Sequence, residues 1–121
     1  MKALTILFLI ETCLYATASL THAGFILEGH EHHQAMIAEA VIAAALLLGL
    51  ISLMLNRRWS RTTALCAQAF ALLGTLVGAF TVAIGVGPQT TLDYITHLVM
   101  ILLLVLGLFW LARTRNPPPR E

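Results

Sequence analysis

Charge is what this sequence has least of. Asp, Glu, Lys and Arg make up 11% of its 121 residues, against 59% hydrophobic residues and a mean hydropathy of +0.86. A soluble domain carries about a quarter charged residues, so a soluble globular fold is excluded and an integral membrane protein is expected. Basic residues are missing from most of the chain: no Lys or Arg lies between Lys2 and Arg57, or between Arg61 and Arg113. That absence leaves no basic stripe for a nucleic acid to bind. The two cysteines, Cys13 and Cys66, lie far apart inside apolar runs, which excludes a CxxC thiol pair and marks them as inert core residues. There is no HExxH zinc motif and no hydrolase triad. The GVGP at Gly85 to Pro88 lacks the Lys-Ser/Thr and the strand context of a phosphate loop. Nothing here points to an enzyme.

What is present is hydrocarbon in four runs, at about 4–27, 35–55, 63–86 and 92–112. Each reaches the ~20 residues needed to cross a ~30 Å apolar core. The connections are too short for any arrangement other than antiparallel neighbours. The fold class expected is therefore an all-α membrane protein, a single domain over 1–121 of four transmembrane helices in an up-down-up-down antiparallel bundle, with 113–121 as a short tail. Met1-Lys2 and the Thr21-His22-Ala23 triplet are also compatible with a cleaved secretory signal. Glu11 and the length of the run favour a retained first helix.

The seven basic residues, Lys2, Arg57, Arg58, Arg61, Arg113, Arg115 and Arg120, all fall on one side of such a bundle. The positive-inside rule makes that side cytoplasmic, so a multi-pass protein of a bacterial-type plasma (inner) membrane with both termini cytoplasmic is expected. In lipid, helices associate through small residues and a few polar links. Gly74 and Gly78 form a GxxxG in the third span and the second span is rich in alanine. The glycine face suits packing within the bundle or contact with a second copy or a larger membrane complex.

Ionisable groups inside a span are costly and face a cavity or the bundle interior. His22, Glu39 and His97 come from three helices and, at ~1.5 Å rise per residue, fall at a common depth roughly 6–8 Å below the outer boundary. Two imidazoles and a carboxylate suit a transition-metal ion such as Zn, Fe, Mn or Cu. Asp93, one turn before His97, is expected to orient that ring from outside the ligand set. His30, His32 and His33, in the Leu27-to-Gln34 stretch LEGHEHHQ, are expected at the entrance. A second polar pair, Glu11 and Gln68, is expected deeper in the bundle, where a structural hydrogen bond or the lower step of an ion path are both open. The expected function is capture, delivery or sensing of a transition metal near the outer face. Two alternatives stand beside it: a b-type haem or quinone-linked electron carrier with His22 and His97 as cofactor-binding axial ligands, and a non-catalytic accessory or assembly subunit.

Overall fold

The computed structural model describes residues 2–114; Arg115, Arg120 and the rest of the expected tail lie outside the described residues. Among the described residues there are four helices, α1 (Lys2–His22), α2 (His33–Leu55), α3 (Ser60–Ala83) and α4 (Thr91–Arg113), and no strand. At 21 to 24 residues each, they are about 32–36 Å long, enough to cross a bilayer. All four are apolar enough to do so. Every residue type in these runs can keep its backbone bonds within one helix, which is the condition lipid imposes.

The helix ends differ from the sequence expectation for identifiable reasons. α1 stops at His22 rather than near residue 27, because Gly24 takes a left-handed φ of +84° and Phe25 N–H closes back on the Leu20 carbonyl at 3.0 Å. Gly85 ends α3 in the same way, with φ +93° and Val86 N–H on the Thr81 carbonyl at 2.9 Å. α2 starts two residues early, because the His32 ring accepts the Ala35 N–H at 3.1 Å. Histidine is absent from the usual capping set, so this start was not legible from residue types. At α4, Thr90 and Asp93 form a reciprocal capping box.

α1 packs on α2, α2 on α3, α3 on α4, and α4 closes on α1 through the thinnest of the four contacts. The diagonal helices α1 and α3 meet only through side chains, at the Glu11–Gln68 and Tyr15–Thr75 hydrogen bonds. Phe8, Leu46, Leu104 and Ala64 fill the centre. α4 buries a single stripe, Met100, Leu104, Gly107 and Leu111, and turns its other aliphatics outward. The Gly74/Gly78 notch faces the bundle interior, towards Ile42 and His97. The closest helix approaches lie elsewhere, at Gly49 against Phe8 and Gly107 against Gln68. At the opposite end from the histidines, Arg61 donates to the Leu111 and Ala112 carbonyls at 3.0 and 3.2 Å, satisfying the open C-terminal turn of α4. Cys13 and Cys66 are exposed on the outer faces of α1 and α3, not in the core as expected from their apolar surroundings. In lipid both sides of a helix are apolar, so composition does not tell the core face from the lipid face.

Candidate functional site

The polar cluster at the histidine-bearing end is built where a loop is pinned shut. His32 N–H donates to the His22 carbonyl at 2.9 Å, so the last residue of α1 and the cap of α2 are neighbours and residues 23–31 form a closed excursion above them. Side chains on a helix lean towards its N-terminus. His22, at the end of α1, therefore leans down into the bundle. Glu39 and His97, on helices running the other way, lean up. The opposing tilts explain how Glu39 reaches His22 although His22 is terminal in its helix and Glu39 lies in the second turn of α2.

His22 is the centre of the cluster. Its Nδ1 is 2.7 Å from Glu39 Oε2, and its Nε2 stands 3.9 Å from Asp93 Oδ1. His30 Nδ1 approaches the same Asp93 oxygen at 4.0 Å. The other Asp93 oxygen is committed, accepting the Thr90 N–H at 2.9 Å and the Thr90 hydroxyl at 2.6 Å. All of these side chains are at least four-fifths covered. The His32 ring meets His22 edge-on, 6.4 Å between centroids.

Three expectations change here. Asp93 does not orient His97 through its carboxylate: His97 Nδ1–H donates to the Asp93 main-chain carbonyl at 2.7 Å, because at i, i+4 the helix backbone presents that oxygen first. The carboxylate is drawn instead to the helix cap and to His22 and His30. His97 Nε2 lies against Gly78 and is not in hydrogen-bond contact with His22 or Glu39. His33 is exposed at the first turn of α2, while His30 and His32 face the cavities beneath the loop. Among the described residues, no three His, Cys, Asp or Glu side chains already stand at metal-ligand spacing.

Two cavities flank the cluster, one reaching α3 at Thr75 and Gly78, the other opening between α1 and α4 beside Thr96 and Leu92. His22, Glu39, Asp93 and His97 border both. Their volumes are about 260 and 270 Å³, below the ~300–1,000 Å³ of pockets that take cofactor-sized ligands.

No family model, curated protein or solved structure matches this chain. The residues alone carry the functional argument.

The Glu11–Gln68 pair expected from the sequence is present: Gln68 Nε2 donates to Glu11 Oε1 at 2.7 Å. Gly107, which makes room for that amide, was not legible in the sequence. A glycine within a run of aliphatics carries no sign of which neighbour approaches it.

Proposed function

We propose that this protein binds a divalent transition-metal ion at the mouth of its bundle, on the outer side of a bacterial-type inner membrane, with His22, Asp93 and His30 as ligands. The observation that supports this reading is the convergence of His22 Nε2 and His30 Nδ1 on one free carboxylate oxygen, at 3.9 and 4.0 Å. Neighbouring donors of a tetrahedral ion with ~2.0–2.2 Å bonds lie about 3.2–3.6 Å apart, so each nitrogen would close on the Asp93 oxygen by roughly 0.3–0.8 Å. Glu39 holds the opposite nitrogen of His22, the arrangement that fixes a metal-binding tautomer and raises the basicity of the ligand. His30 sits on the loop, so loading and closure are one movement. His22 and Asp93 come from helices, and the ion would tie α1 to α4 where the bundle contact is thinnest.

Titration of Zn²⁺ into the full chain in lipid nanodiscs, followed by calorimetry, tests the assignment. His22→Ala and Asp93→Asn should each remove most of the affinity, and Asn at position 93 keeps an acceptor for the helix cap. Glu39→Gln should cost on the order of 10–100-fold, as for a partner that acts through a ligand. His33→Ala should bind as the parent does. If His97→Ala abolishes binding while Asp93→Asn leaves it intact, the ligands are His22, Glu39 and His97. Equal Zn²⁺ binding by the parent and a His22→Ala/His30→Ala/Asp93→Asn variant removes the metal reading altogether.

A further inference from the structure

One buried group takes no part in that vestibule. Glu11 and Gln68 are 1% and 0% exposed, near the middle of α1 and a third of the way along α3. They share one hydrogen bond, and Gln68 Nε2 also approaches the Leu104 carbonyl at 3.4 Å. Their other two oxygens, Glu11 Oε2 and Gln68 Oε1, are buried with no partner. Among the described residues, no cation is paired with them. The buried residues of α2 and α3 include no titratable group, α4 contributes only Asp93 at its outer end, and α1 contributes Tyr15 one turn away. An ionised carboxylate here would be an unpaired charge within the hydrocarbon layer, and both orphan oxygens are acceptors, so neither can satisfy the other.

We infer that Glu11 is a mid-membrane proton-binding site, whose proton sits on Oε2 and donates to Gln68 Oε1 to close a cyclic acid–amide pair. One proton, taken from water, removes the charge and satisfies both orphan atoms while the existing Nε2–H to Oε1 bond is kept. No bond within the protein is broken. The pair is rigid because its amide is seated against Gly107, where an added Cβ would lie 2.2 Å from Gln68 Nε2.

The same residues give the proton one way in. Tyr15 and Thr75 stand at the floor of the cavity that His22 and Glu39 border, so the polar path from the vestibule stops one helical turn short of Glu11. The Thr75 hydroxyl donates to the Ala71 carbonyl at 2.6 Å and so accepts from the Tyr15 phenol. This leaves the phenol lone pairs free to accept from water. On the other side of Glu11, Leu4, Leu7, Phe8 and Leu111 are buried, and the buried hydroxyls of Ser52 and Ser60 nearer the arginines are engaged in donating to the Gly49 and Ser52 carbonyls. By this route Glu11 exchanges its proton with the histidine-bearing side.

Infrared spectra of the full chain in lipid at pH 7 test this independently of any metal. The parent should show the C=O band of a protonated carboxylic acid, lost in Glu11→Gln, where an amide–amide pair preserves the packing. In Gln68→Leu the band should persist but move to the higher frequency of an acid without that partner. On transfer to D₂O the band should shift, and Tyr15→Phe should slow the shift without removing the band. Identical parent and Glu11→Gln spectra in the acid C=O region overturn the proton site. An undiminished exchange rate in Tyr15→Phe overturns the route through the cavity floor.

Discussion

Replacing Gly107 by alanine adds one methyl group at the tightest point of the bundle. Its Cβ would stand 2.2 Å from Gln68 Nε2, 2.9 Å from Gln68 Cδ and 3.3 Å from Leu7 Cδ2. The Leu7 methyl can yield. The amide can do so only by leaving Glu11, since both are fully enclosed. Overpacking of this kind costs ~1–3 kcal/mol, and a hydrogen bond between transmembrane helices adds on the order of 0.6–2 kcal/mol, so a loss of about 2–4 kcal/mol is expected. The measurement is reversible unfolding of the chain in mixed micelles at increasing denaturing detergent. Two comparisons make the reasoning refutable. Gly49→Ala brings a Cβ within 2.5 Å of Phe8 Cε1, a close contact with an aromatic ring and not with the acid–amide pair, and should show the overpacking cost alone. In a Gln68→Ala background the obstructing amide is gone, and Gly107→Ala should lose most of its effect, a coupling within the ~0.5–3 kcal/mol seen for residues in contact. If Gly107→Ala is as stable as the parent, or costs as much without Gln68 as with it, then the amide is not seated against that glycine and the rigid pair argued above is wrong.

Two further outcomes follow from the vestibule and the charge distribution. Metal affinity should fall steadily as the pH is lowered from 7 to 5, because a histidine ligates only as the neutral imidazole and protons compete for the same nitrogens; calorimetry at three pH values checks this, and a pH-independent affinity contradicts histidine ligation. Cysteine placed at Glu28 and at Arg58, both exposed in loops, in a Cys13→Ala/Cys66→Ala background, should react with a membrane-impermeant maleimide in intact cells only at position 28. Labelling at 58 alone reverses the proposed orientation.

The sequence by itself determined the bundle. Four runs of hydrocarbon with short connections leave lipid one solution, because every backbone polar group must be satisfied within its own helix. It also determined that Glu11 and Gln68 would meet and that His22 and Glu39 would share a region, since a polar side chain in a span has few places to go other than inward. Tertiary structure decided the rest. Whether Cys13 faces core or lipid was undecidable from composition, as both surroundings are apolar. The end of α1 turned on the left-handed Gly24, and the start of α2 on a histidine serving as cap. Asp93 shows the limit most clearly. Helical spacing correctly put it one turn from His97, but spacing measures the distance along one helix and not the competition for a side chain. The backbone carbonyl took the His97 ring, Thr90 took one carboxylate oxygen, and the other was left facing His22 and His30 from elements remote in sequence. Contacts among three separate elements depend on how the helices lean and where the outer loop is pinned, and only the packed bundle sets both.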